Sequence, residues 1–287
     1  MGSAQSPPGK FPSAAAQAFD AIAERFDERF SPWLSVAAQR GAVRGALERA
    51  FAPGARLIEI GGGTGEDALW LLQRGRQVLL TDASPLMVRI SAAKFADLPG
   101  AAAEVCAAED LAELAERTPT PFDGAWSNFA ALNCVGDLAP FARGLARLLR
   151  PGAPALLVVF GRWCPGEWLV ETLRGRARSA FRRIAAGDQP ARLGGREFTV
   201  RYHRRRDLER ALAPWFRPAG RLGVGVFVPP SAAEPWISEH PRLLGVLETL
   251  DHSLAGPLAG LGDHILYRFV RTEADAPKAG PPKAGPP

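Results

Sequence analysis

The stretch LIEIGGGTGEDALWLL, residues 57–72, puts a carboxylate, alternating glycines and a helix start close together. An apolar run ends at Ile60, glycines follow, and a helix begins by Asp67. Glycine there lets the chain turn tightly and lets a ligand lie against bare backbone. In parallel sheets ligands sit beyond the carboxyl ends of the strands, where such a loop lies. A dinucleotide fingerprint, GxGxxG, fails: counted from Gly61, its third glycine is Glu66. A carboxylate at that helix start has the wrong sign for a pyrophosphate. No GxxxxGK(S/T) loop occurs, which removes the P-loop hydrolases. What fits is acidic-x-Gly-x-Gly-x-Gly: Glu59, Gly61, Gly63 and Gly65, with Gly62 between. Seventeen residues past Gly65, Asp82 ends the next apolar run. A carboxylate there can accept hydrogen bonds from both hydroxyls of a ribose.

The other reactive side chains are scattered. Cys106, Cys134 and Cys164 lie 28 and 30 residues apart, which excludes a CxxC zinc or redox site and argues against a disulfide framework. With no Cys or His cluster, no metal is expected. Of the four histidines, His203 follows a predicted strand in an arginine-rich region and leads as a candidate base. His264, beside Asp263, comes second. For each, an ordinary surface or strand-end role is the competing reading.

The elements that must position these groups alternate. Apolar runs at 56–60, 77–82, 122–128 and 154–160 predict buried strands, and 66–74, 85–96 and 137–149 predict helices between them. Leu138, Phe141, Leu145, Leu148 and Leu149 recur at helical spacing behind Asp137, a predicted N-cap. Such alternation implies βαβ units and a mostly parallel sheet covered on both faces, an α/β fold. Segments 221–228 and 264–271 also read as strands, and a late antiparallel strand at the sheet edge is expected.

In these residues the chain resembles the class I S-adenosylmethionine-dependent methyltransferases. The resemblance rests on EIGGGTG (59–65), Asp82 in LLTDAS, CAAEDL (106–111), FDGAWSNFAALNCV (122–135) and LLRPGAPALLVV (148–159), and it covers residues 50–160. It implies a three-layer Rossmann-like fold with a seven-stranded sheet, a reversed last strand and S-adenosyl-L-methionine as cofactor. It further implies that Gly61, Gly62, Gly63 and Gly65 line the cofactor, Glu59 lies near its ammonium, and Asp82 holds the ribose. Ala83, Glu109 and Asp110 would flank the adenine, and Asn128 and Phe129 would border the methionine and the substrate mouth. One departure stands out: the acidic residue often found two places before Glu109 is Ala107 here.

The chain has 287 residues, 47% hydrophobic and 23% charged, a globular composition with length for a large core. One domain is expected over 14–272, with core 50–160 and a substrate-recognition region at 161–220 after the fifth strand. Tails at 1–13 and 273–287, rich in Pro and Gly, are expected to be disordered. No charge-free apolar stretch is long enough to span a membrane, and the first residues show no secretory signal, so a cytoplasmic location is expected. Phe19, Ile22, Phe26 and Phe30 share one helical face and read either as packing or as a lid over the cofactor. Residues 172–221 hold fourteen Arg against four Asp or Glu, in a chain of net charge +5. Three readings stay open: a solvated basic face, an anionic substrate, or peripheral contact of the Arg/Trp-rich 161–206 region with an anionic membrane. A basic patch alone gives only non-specific nucleic-acid affinity, so no specific nucleic acid is expected. The expected activity is methyl transfer to a small-molecule or lipid-like acceptor by in-line displacement. The alternatives are a protein or peptide acceptor, and a non-catalytic cofactor-binding partner.

Overall fold

The computed structural model describes residues 12–129 and 131–273. Except for Pro12, Ser13 and Glu273, the tails expected at 1–13 and 273–287 lie outside the described residues. The helices are α1 (Ala14–Asp20), α2 (Phe26–Phe30), α3 (Leu34–Ala50), α4 (Glu66–Leu72), α5 (Pro85–Phe95), α6 (Leu111–Glu116), α7 (Leu138–Leu148), α8 (Pro165–Leu173), α9 (Ala177–Ala180), α10 (Arg205–Leu212) and α11 (Pro241–Leu254). The strands are β1 (Arg56–Ile60), β2 (Gln77–Asp82), β3 (Ala101–Val105), β4 (Gly124–Ser127), β5 (Pro154–Phe160), β6 (Asp188–Leu193), β7 (Arg196–Arg201), β8 (Phe216–Val224) and β9 (His264–Arg271).

Seven strands form one sheet in the order β3-β2-β1-β4-β5-β9-β8, and β6 and β7 form a separate hairpin. β1 to β5 pair in parallel, whereas β9 runs antiparallel to both β5 and β8. The reversed strand is therefore the last in the chain, as expected, but not at the edge. It lies between β5 and β8, and β8 takes the edge.

Two cores sandwich the sheet, as strand alternation dictates. Ile58 and Ile60 face one way, toward Leu111, Phe141, Leu145 and Leu208 of α6, α7 and α10. Leu57, Trp126 and Leu156 face the other way, toward Val43, Leu47, Ala68 and Leu71 of α3 and α4. Asp137 caps α7 through its side chain, which accepts from the Ala139 amide. After β5 the chain leaves the sheet as α8, α9 and the β6–β7 hairpin, then returns through α10 to β8. The region expected at 161–220 thus extends beyond the insertion through α10 and into β8, which belong to the main layers. No helix among the described residues is long and apolar enough to cross a membrane.

Candidate functional site

The loop after β1 is held from below by β2. The Gly61 and Gly62 amides both donate to the Thr81 carbonyl, at 2.8 and 3.1 Å. Gly63 and Gly65 take left-handed conformations, at φ 57° and 82°. They differ in surroundings. A Cβ on Gly65 would lie 2.7 Å from the Phe95 ring, whereas one on Gly63 meets nothing nearer than Met87 Sδ at 4.0 Å. Gly65 packs helix against helix, and Gly63 opens onto free space.

That space is a cavity of about 1170 Å³ beyond the carboxyl ends of β1, β2 and β4. Glu59, Gly61, Gly62, Gly63, Asp82, Ala83, Glu109, Asp110, Asn128 and Phe129 all line it; Gly65 does not. Glu59 is 2% exposed. Its Oε1 accepts from the Trp126 indole at 2.9 Å, and its Oε2 is buried with no hydrogen-bond partner among the described residues. Burial, reinforced by the nearby charge of Asp67, raises its carboxyl well above the usual carboxylate range. Asp82 accepts from the Gly63 amide through Oδ2 (2.9 Å) and from the Ser84 amide through Oδ1 (2.8 Å). Each oxygen keeps a further lone pair. Burial raises this carboxyl too, against the lowering effect of those amides.

Asn128 donates to Asp67 Oδ2 at 2.6 Å and accepts from the Phe129 amide at 2.9 Å. This pins Phe129 at φ 41°, a strained conformation for a bulky residue and one often found at ligand sites. The Phe129 ring lies 5.3 Å from the Arg40 guanidinium and 5.4 Å from the His264 ring. Glu109 is exposed and Asp110 half-buried on the β3 side of the wall.

The cavity is roofed. Phe19, Phe26 and Phe30 line it from the N-terminal segment, and Leu193, Phe198 and Val200 from the β6–β7 hairpin. The two parts meet, with the Phe19 and Phe198 rings 6.0 Å apart. Asp20 anchors α1 by accepting from Ser84 Oγ (2.7 Å) and the Leu86 amide (2.9 Å). Asp27 anchors α2 to the glycine loop through Thr64 Oγ1 and to Lys94 Nζ, both at 2.6 Å. Neither aspartate was singled out in the sequence, because nothing in the spacing of either one marks a contact with a loop 37 or more residues away.

The histidines exchange places. His203 does not line the cavity; it is buried, with Nε2 donating to the Leu132 and Val135 carbonyls at 3.1 and 3.0 Å. Burial lowers its pKa. That geometry ties the loop after β4 to the end of β7 and commits Nε2 to two carbonyls. His264 does line the cavity. Its Nδ1 lies 3.1 Å from Gln39 Oε1 and 3.4 Å from Asp263 Oδ2, and its ring stacks on Phe160 at 4.8 Å. Arg183 Nη2 meets Asp263 Oδ1 at 2.7 Å, and the same guanidinium is paired with Glu167. Burial works against ionisation of Asp263, but His264 and Arg183 overcome it and hold the carboxyl well below its usual range. The adjacency of Asp263 and His264 was the available signal; Gln39 and Arg183 had none.

Residues 58–155 match the model of a family described as a methyltransferase domain. No curated protein matches the chain. Among solved structures, it is similar to the [4+2]-cyclase SpnF, at 16% identity and a TM-score of 0.59, over 91% of this chain and 97% of that one. It is also similar to a chain of the complex containing the Haloferax volcanii Trm112 methyltransferase activator (17% identity, TM-score 0.56, 91% and 98% covered). A third is an S-adenosylmethionine-dependent methyltransferase from Mesorhizobium loti (20% identity, TM-score 0.52, 82% and 98% covered). At these identities the likeness is one of fold.

Proposed function

We propose that the chain, whose residues 58–155 match a methyltransferase-domain family, is a class I S-adenosylmethionine-dependent methyltransferase that methylates a small-molecule or lipid-like acceptor held in the roofed cavity. The residues fit the cofactor. Glu59 Oε2 is a buried acceptor lacking a donor, which an ammonium satisfies. Asp82 offers a ribose the free lone pairs of both oxygens, and the missing Cβ of Gly63 leaves room for the ligand to approach the backbone. Val105 to Asp110 border the adenine end.

S-adenosylmethionine supplies a methyl group on a cationic sulfur, so the leaving group departs neutral and needs no acid. The protein's share is to bind, align and exclude water. Phe129 and Asn128 close the boundary between the two halves of the cavity. The aromatic roof covers part of the cavity and offers an apolar acceptor a matching surface.

The observation that carries the reading is the orphaned Glu59 oxygen beside Asp82 in a cavity larger than one ligand needs, since sites for single drug-sized ligands run to roughly 300–1000 Å³. Arg40 and Arg192 in its wall suit an acceptor bearing negative charge. The protein stands free of specific nucleic acid in this reading. Trp163, Leu169, Leu173 and Phe181, exposed among arginines of the insertion, are where it would meet an anionic membrane surface and collect such an acceptor. Because a [4+2]-cyclase shares the fold, the test must read group transfer rather than binding. Incubation with methyl-labelled cofactor and fractionated cell extract should place label in the small-molecule or lipid fraction. Label confined to protein, or absent from every fraction, contradicts the proposal.

A further inference from the structure

We propose that His264 is the general base of the acceptor subsite and that the acceptor is a hydroxyl group carried on an apolar aromatic skeleton. This inference rests on the methyl-transfer reading above and deepens it.

The first observation is position. Glu59 and Asp82 lie at the ends of β1 and β2, whereas Phe160 and His264 face each other across β5 and β9. Between β1 and β9 stand β4 and β5, so the two ends of the cavity are about 14 Å apart at roughly 4.8 Å per strand. Phe129, just after β4, stands between them and touches the His264 ring edge-on at 5.4 Å. A ligand seated over β1 and β2 therefore leaves the β5–β9 end of the cavity for a second molecule, with His264 in its wall.

The second is the tautomer. Both groups near Nδ1, Gln39 Oε1 and Asp263 Oδ2, are acceptors, so Nδ1 carries the proton. The Gln39 amide is itself oriented, because its Nε2 donates to Asp263 Oδ2 at 3.1 Å. Nε2 of His264 is left with its lone pair and no hydrogen-bond partner among the described residues. Asp263 cannot take the proton away, since Arg183 holds it ionised from the other side. An oriented imidazole with a free lone pair, backed by a carboxylate, is the arrangement a general base requires. His203 has its Nε2 committed to two carbonyls and lacks it.

The third is what surrounds the free lone pair. Phe160 stacks on His264 and Tyr202 packs on Phe160 at 5.7 Å, so this end of the cavity is aromatic, a surface that fits a ring. Arg40, whose guanidinium lies 5.3 Å from the Phe129 ring, lines the same cavity and favours an oxygen that gains negative charge as its proton leaves. A neutral amine attacks with its own lone pair and needs no base. A phenolic hydroxyl, with a pKa near 10, gains most from one.

In the step, the acceptor O–H proton passes to His264 Nε2 while an oxygen lone pair forms the new C–O bond. The carbon–sulfur bond of the donor breaks, and its electron pair stays on sulfur as the positive charge there is lost. The imidazolium then returns its proton to water. The charged groups that face His264 are Asp263 just before its strand, Arg183 before β6 with Glu167 of α8 behind it, and Arg40 of α3 across Phe129. Arg182 and Tyr202 act from the insertion.

The test uses the full chain with methyl-labelled cofactor and 1-naphthol, with 1-naphthylamine as the comparison. Label should enter the naphthol ether and not the amine, with kcat rising with pH along one ionisation. H264A and H264N should each lose more than a hundredfold in kcat and lose that pH limb. Their affinity for S-adenosylhomocysteine, read by calorimetry, should stay within twofold of the parent. Independently of turnover, the ¹⁵N spectrum of histidine-labelled protein with S-adenosylhomocysteine bound should show His264 as the Nδ1–H tautomer, with an Nε2 signal that 1-naphthol shifts. Preferred labelling of the amine, near-normal kcat in both variants, or an Nε2 signal indifferent to naphthol overturns the proposal. If S-adenosylhomocysteine fails to bind the parent protein, it is the methyl-transfer reading that falls instead.

Discussion

Glu59 is a buried acid and Asp82 a half-buried one, and in the proposed reading their cost to the fold is offset by the cofactor they bind. The Glu59 carboxyl is held above its ordinary range by burial and by Asp67. The folded chain therefore keeps this proton to a higher pH than the unfolded chain, in which Glu titrates near pH 4.3. The stability linked to the proton is complete below the unfolded value and is lost as pH rises through the raised folded value. Glu59→Gln, which keeps the shape and carries no charge, should leave the unfolding temperature of ligand-free protein nearly unchanged at pH 4 and raise it at pH 8. Scanning calorimetry showing a fall at pH 8 contradicts the account. At Asp82 the expected effect is on binding. Asp82→Ala removes a charged acceptor of two ribose hydroxyls and should weaken S-adenosylhomocysteine by about 1.5–3 kcal/mol; unchanged titration calorimetry would remove Asp82 from the site.

The elements that carry these residues differ in how legible they are. β1, β2, β5 and β9 occupy the runs predicted for them, because each carries a cluster of apolar residues that the sheet buries, such as Leu57, Ile58 and Ile60 in β1 or Ile265, Leu266 and Tyr267 in β9. β3 reads AAAEV and is only half-buried beside β2, so no apolar pattern marks it. The β6–β7 hairpin mixes charged, polar and apolar residues and leaves only Val200 buried, which is why it gave no core signal. The interior place of β9 depends on long-range pairing with β5, and local pattern is silent on that. The same division holds in the site. The acidic and glycine positions from Glu59 to Asp82 are local and readable, whereas the Gln39–Asp263 bond spans 224 positions in the chain. The N-terminal helices belong to the second kind, held by Asp20 on the loop before α5. Asp20→Ala should destabilise by roughly 0.5–2 kcal/mol, as for loss of a helix cap, and speed the release of S-adenosylhomocysteine in stopped-flow measurements. Deleting residues 1–31 should abolish turnover; unchanged turnover would dispose of the lid.

Across the whole molecule the arginine excess is less available than the sequence count suggests. Arg182 and Arg183 pair with Glu167, Arg176 with Glu171, Arg201 with Asp188 and Arg205 with Glu209. Much of the charge therefore fastens the insertion to itself and to β9. What remains outward is apolar as well as basic: Trp163 is 54% exposed, Leu173 78% and Phe181 52%, near exposed Arg174 and Arg178. Co-sedimentation with vesicles rich in anionic lipid should be salt-sensitive and should weaken in a Trp163→Ala, Phe181→Ala double variant; equal binding to neutral vesicles contradicts that role. All of this presupposes a cofactor seated on Glu59. The most direct measurement is calorimetric titration of S-adenosylhomocysteine near pH 6 in two buffers of different ionisation enthalpy. The account predicts binding that releases a proton as Glu59 ionises against the ammonium, with the release gone in Glu59→Gln. Absence of binding, or proton-neutral binding equally tight in Glu59→Gln, would contradict it.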